Sequence, residues 1–192
     1  ERDIAFDTGG NYLLMPASFA KELGIDYDKD KSFTGRQGFS KSKMFIGLIN
    51  EFEMGKGLNM KNVPVVILEE MNTELIVFGT NIIKEFLCTI DYPNNQFVFT
   101  TLDQSNLIKA HLEKYQANEI DFVLWGDHYM MGKGEYNDIP VNMFFDSGLV
   151  VVGQKDGIPV QSWLCMTKKN MEELDIEERD DASQTKVVFT DD

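Results

Sequence analysis

The chain has 192 residues, 43% hydrophobic and 26% charged, which is the composition of an ordinary globular protein and excludes collagen-like or wholly disordered structure. Eighteen Lys and Arg against 32 Asp and Glu leave a net charge of −14, which repels phosphate backbones and anionic lipid and speaks against nucleic-acid or membrane-surface binding. Two cysteines (Cys88, Cys165) and two histidines (His111, His128) are too few for a disulfide scaffold or a zinc centre; no metal and no cofactor is expected, and no apolar run approaches a membrane span. The chain opens on Glu1 without a Met, which reads as a mature or trimmed product whose targeting segment lies out of view.

In chain order, Ile4 to Phe6 is predicted as a buried strand that delivers Asp7-Thr8-Gly9 into a loop. Pro16 to Leu23 reads as a helix, with Pro near its first turn and Gly24 as its stop. Between Ser32 and Met60, β-compatible segments alternate with Gly35, Gly38, Gly47, Gly55 and Gly57, a hairpin pattern. Val63 to Leu68 and Leu75 to Phe78 are apolar runs of strand length, and Asn81 is expected to cap a short helix reaching Phe86. Cys88 to Ile90, the turn Asp91 to Asn95 and Gln96 to Thr100 make a further hairpin. Thr101 to Glu119 fits a helical connector. Strands then resume at Phe122 to Trp125, at Tyr129 to Met131, and, after an expected turn at Gly132-Lys133-Gly134, at Ile139 to Phe145.

Met143-Phe144-Phe145-Asp146-Ser147-Gly148 repeats the pattern of Ile4-Ala5-Phe6-Asp7-Thr8-Gly9 at an offset of 139 residues. Phe19 to Ile25 is echoed by Asn170 to Ile176 at an offset of 151, which places an insertion in the second copy near Gly153 to Pro159. An apolar strand feeding Asp-(Thr/Ser)-Gly suits one chemistry. Two carboxylates held a few ångströms apart cannot both ionise, so they share a proton; one then acts as general base on water while the other polarises a carbonyl. The hydroxyl of Thr8 or Ser147 can bond across to the opposite loop, and Gly9 and Gly148 let the backbone turn its N–H groups onto the carboxylate.

Phe6-Asp7-Thr8-Gly9 with the following helix resembles the active-site strand, loop and helix of aspartic peptidases. Leu75-Ile76-Val77-Phe78-Gly79 and Thr89-Ile90-Asp91-Tyr92 resemble that family's apolar-apolar-Gly segment and final strand. Two triplets in one chain look like the pepsin-like two-lobed arrangement written in retropepsin-like local sequence. The resemblance implies a mostly β, two-lobed aspartic-peptidase-like fold (double-psi β-barrel) with short helices: an N-terminal lobe over 1–100, a linker over 101–119 and a C-terminal lobe, lacking part of the pattern, over 120–192. It implies an aspartic endopeptidase with Asp7 and Asp146 as the catalytic pair, Thr8, Gly9, Ser147 and Gly148 shaping the loops, Gly79 as structural support and the stretch from Gly35 to Gly57 as flap. The substrate would be a peptide or protein, the chain a monomer with an intramolecular Asp pair, and its location extracytoplasmic (secreted or periplasmic), the habit of bilobal members. Two alternatives stay open: a catalytically inactive module that binds a peptide or protein in the same cleft, with Leu149 beside the second Asp in its favour, and a homodimer pairing Asp7 with Asp7.

Overall fold

The computed structural model describes residues 4–37, 40–55, 57–69, 75–115, 117, 119–136, 138–148, 154–155, 158–159, 166–176 and 188–189. Its first part is a six-stranded sheet curled into a half-barrel. The strands are β1 (Ile4–Phe6), β2 (Leu13–Pro16), β3 (Phe33–Gln37), β4 (Ser40–Glu53), β5 (Asn59–Leu68) and β6 (Ile76–Phe78), in spatial order β1-β6-β2-β5-β4-β3. Although β1 and β2 are consecutive in sequence, β6 lies between them, parallel to β1 (Phe6 opposite Phe78) and antiparallel to β2 (Leu14 opposite Val77). The connection through Asp7 to Tyr12 therefore has to cross the end of β6, and this crossing makes the loop that matters.

The core follows from period-two alternation on β5. Val63, Val65 and Ile67 point into one cluster with Leu13, Met15, Phe45 and Phe78, while Val66 and Leu68 point the other way onto Met44 and Leu14. Both faces are covered, so β5 reads as a continuous apolar run. Helix α1 (Ala17–Glu22) buries Ala20 and ends at Gly24, whose φ of 68° needs glycine. Of the expected hairpin glycines, Gly55 and Gly57 sit at positive φ in the turn between β4 and β5. Gly35 and Gly47 are instead mid-strand; a methyl on Gly47 would stand 2.8 Å from Ile67, so that glycine serves close packing. Gly38 lies outside the described residues.

Helix α2 (Thr80–Ile83) is capped by Gly79, and Asn81 falls inside its first turn rather than at the cap. The hairpin of β7 (Leu87–Asp91) and β8 (Gln96–Thr100) turns where expected: the Asp91 carboxylate accepts from Asn94 N at 3.2 Å and Nδ2 at 2.7 Å. It packs on β1 through Phe97, stacked 3.8 Å from Phe6, and Phe99, 5.3 Å from the same ring.

The expected connector contains helix α3 (Ser105–Lys114), followed by β9 (Phe122–Trp125), β10 (Tyr129–Tyr136) and β11 (Ile139–Phe144). Both β9 and β11 pair antiparallel with β10. The predicted Gly132–Gly134 turn is corrected here: both glycines lie inside β10, and the chain reverses at Asp138, with φ 62°. Gly132 is small because the Phe145 ring crosses it; a methyl there would meet the ring edge at 3.0 Å. The remaining described elements are a 3₁₀ turn (Leu102–Gln104) before α3, the short pair β12 (Gln154–Lys155) and β13 (Ile158–Pro159), helix α4 (Lys168–Glu173) where the second echo predicted one, and β14 (Val188–Phe189) on β10. No described helix is long and apolar enough to cross a membrane.

Candidate functional site: two facing Asp loops

Strand β1 ends at Asp7, whose N–H donates to Phe78 O at 3.0 Å, so the ladder with β6 continues one residue into the loop. The loop then closes on itself: Gly9 N donates to Asp7 Oδ1 at 2.8 Å and Gly10 N to Asp7 O at 3.1 Å. Strand β11 ends in the same way. Phe145 N donates to Met130 O at 3.1 Å on β10, and Gly148 N donates to Asp146 Oδ1 at 2.9 Å. Each carboxylate is thus oriented by the N–H two residues downstream, as the tripeptide pattern predicts.

The two loops are joined by a reciprocal set of four hydrogen bonds. Thr8 Oγ1 donates to Phe145 O at 3.0 Å and accepts from Ser147 N at 2.9 Å. Ser147 Oγ donates to Phe6 O at 3.1 Å and accepts from Thr8 N at 3.1 Å. Each hydroxyl uses its single donor and one acceptor, which is why the middle residue of the triplet must be Thr or Ser. Each carboxyl also lies against the glycine of the other triplet. A methyl on Gly9 would stand 2.5 Å from the Asp146 carboxyl carbon, and one on Gly148 would fall on the Asp7 carboxyl. The glycines therefore clear space for the opposite acid as well as shaping their own turns, and the structure brings Asp7, Thr8, Gly9, Asp146, Ser147 and Gly148 together.

Behind the first loop, Gly79 lets the chain pass over Tyr12: a methyl would stand 2.5 Å from Tyr12 O and 2.7 Å from its N. Thr80, buried, brings its hydroxyl to Thr8 O (3.3 Å) and Gly10 O (3.0 Å), and its N–H donates to Gly10 O at 2.8 Å. The Asn81 side chain accepts from Leu13 N at 2.7 Å and donates to Pro64 O at 3.2 Å, so it ties β2, β5 and α2 together. Sequence reasoning singled out Gly79 and missed the bracing by Thr80 and Asn81. The available signal was two polar residues placed between the apolar runs Leu75–Phe78 and Ile82–Ile83.

The flap expectation is narrowed. The stretch from Gly35 to Gly57 holds the end of β3, the whole of β4 and the turn at Gly55 and Gly57, with residues 38 and 39 outside the described residues. Of its aromatics, Phe45 is fully buried in the core and Phe52 packs against it, so neither can reach over the carboxylates. Leu149 and Cys165 also lie outside the described residues. Cys88 is half-buried, and burial pushes its thiol above the ordinary value. A hollow of about 680 Å³ lined by Leu13, Met15, Phe19, Phe52 and Phe78 opens into the apolar core, and no residue of either triplet lines it.

Residues 1–82 match the family model described as aspartyl protease, a span that runs from before β1 into α2 and holds the first triplet and Gly79. No curated protein and no solved structure matches the chain.

Proposed function

We propose that the protein is an aspartic endopeptidase, a two-lobed double-psi barrel in a single chain, in which a water held between Asp7 and Asp146 attacks the peptide bond. The observation that carries this reading is the reciprocal Thr8–Ser147 bonding, with each carboxyl set against the other loop's glycine. Two acids so placed hold one proton between them. The ionised member removes a proton from the water as its oxygen attacks the carbonyl carbon, and the protonated member gives its proton to the carbonyl oxygen. The tetrahedral diol then collapses: the C–N bond breaks, one hydroxyl proton returns to a carboxylate, and the leaving nitrogen takes a proton from the other acid. Both acids end as they began, and the water is divided between the new carboxyl and amine. The substrate would lie extended in the cleft, adding main-chain hydrogen bonds as a strand does. Thr8 and Ser147 belong to one chain, which supports an intramolecular pair over pairing of Asp7 with Asp7.

A second reading, a peptide-binding module without turnover, draws on the family match ending at residue 82, well short of the second triplet. Cleavage of a mixed peptide library between about pH 3 and pH 7 separates the two, with Asp7→Asn, Asp146→Asn and pepstatin as controls. The enzyme reading expects a bell-shaped profile and a loss of at least about 10²–10⁴-fold in each variant. Loss in Asp7→Asn alone would point to the homodimer, and peptide binding without cleavage would establish the module.

A further inference from the structure

A second tether joins the two parts that carry the loops. Lys84 Nζ donates to Asp127 Oδ2 at 2.5 Å, with the Asp127 carbonyl oxygen at 3.5 Å. Lys84 caps the C-terminus of α2, and its own N–H donates to Thr80 O at 2.9 Å; Thr80 is the residue that holds Thr8 O and Gly10 O. Asp127 occupies the β9–β10 turn, three residues before the Met130 carbonyl that receives the Phe145 N–H next to Asp146. Lys84 is therefore one hydrogen bond along α2 from Thr80, and Asp127 is three residues along the chain from Met130, whose carbonyl is bonded beside Asp146.

The four bonds of the Thr8–Ser147 grip are gathered at one place, and a contact at one place leaves rotation about it. A second contact away from it removes that rotation. We propose that Lys84 and Asp127 are a positioning pair that fixes the rotation of one triplet loop against the other and so keeps Asp7 and Asp146 at the separation where they share a proton; this rests on the aspartic-peptidase reading. Three features set this pair apart from an incidental surface ion pair. Asp127 stands in the left-handed region at φ 67°, after Gly126 at φ 61°, a conformation that turns both its carbonyl and its carboxylate onto one amine. The Lys84 side chain is only 27% exposed, so little freedom is left to lose on pairing, whereas Lys29, Lys31 and Lys169 in the other ion pairs are 72–84% exposed. Both residues also line a polar hollow of about 560 Å³ whose wall includes Asn11 and Tyr12, the end of the first triplet loop.

The charged and titratable groups around it are Lys61 and Glu85 in the same hollow and His128 beside Asp127. The hydrogen bond from Lys84, then its charge, holds the Asp127 carboxyl below its ordinary range, so the pair stays ionised under mild acid.

The test is steady-state cleavage of a peptide by the full chain, read as kcat and KM separately, with hydrogen exchange at the Thr8 and Ser147 amides as a second readout that needs no turnover. In Lys84→Met and Asp127→Asn, kcat should fall about ten-fold with KM little changed and both amides should exchange faster, while Lys84→Arg and the exchanged pair Lys84→Asp/Asp127→Lys restore both. Should Lys84→Met fail to fold, Asp127→Asn, altered at an 83%-exposed side chain, still decides. Unchanged kcat and exchange in folded Lys84→Met or Asp127→Asn overturn the positioning role and leave the peptidase reading standing. Absence of cleavage by wild type overturns both.

Discussion

The two triplet loops carry the same local bonds and differ in what stands behind them. The Asp7 loop is framed by its own sheet: Phe78 O holds Asp7 N, Thr80 holds Thr8 O and Gly10 O, Asn81 holds Leu13, and Thr8 is buried. The Asp146 loop receives Met130 O from β10 and the cross-bonds from Thr8 and Phe6, and its Ser147 and Gly148 are exposed. Among the described residues, the first loop is thus framed by its own sheet, and the second is held to the first by the Thr8–Ser147 bonds. A pair of acids needs only one rigid template if the other can be clamped onto it.

One methyl added behind each loop should separate the two most widely. In Gly79→Ala the new carbon meets Tyr12 N, C and O at 2.5–2.7 Å, all backbone that Thr80 and Asn81 hold in place. We expect a loss of about 3 kcal/mol or more in urea unfolding, at the upper end of overpacking costs. Gly132→Ala, behind the second loop, meets one edge of the Phe145 ring at 3.0 Å, which can tilt, and should cost about 1 kcal/mol. Equal losses would mean that the second loop has a frame as rigid as the first.

The middle residues give a smaller contrast. Thr8→Val keeps the shape but leaves Phe145 O and Ser147 N without their partner at a buried position, at a cost of about 1–3 kcal/mol. Ser147→Ala removes the matching two bonds, yet Ser147 itself is exposed and water can take the place of its hydroxyl, so about 1 kcal/mol is expected. Thermal unfolding of the two variants measures the difference directly, and a larger cost for Ser147→Ala would reverse the template argument.

Much of this was legible locally. A strand, a carboxylate, a hydroxyl and a glycine in sequence dictate their own turn, and the 139-residue repeat shows that the turn occurs twice. What sequence could not show is that β6 inserts between β1 and β2, because that pairing joins residues about 70 positions apart and rests on no local propensity. The same limit explains Asn81, whose cap-like spelling gave way to two partners on other strands, Leu13 and Pro64, and Gly132, whose turn-like spelling served a ring 13 residues away. In each case a local spelling admitted two meanings, and a distant contact selected one.

The smallest effect concerns acid. Lys84 lowers the Asp127 pKa from its ordinary value of 3.8, so the folded state binds that proton less readily than the unfolded chain does. Its contribution to stability is therefore complete above the ordinary carboxylate range and is lost as pH falls below 3.8 through the folded value. Asp127→Asn removes this dependence, so its acid-unfolding curve should run closer to that of wild type as pH drops below 3.8, with the gap between them greatest in neutral solution. Asp127 is exposed, and salt should shrink that gap further. A gap that instead widened with acid would mean that Asp127 is protonated more readily in the folded chain. The turn would then be held by its left-handed backbone and the His128–Gly126 contact at 2.6 Å rather than by charge.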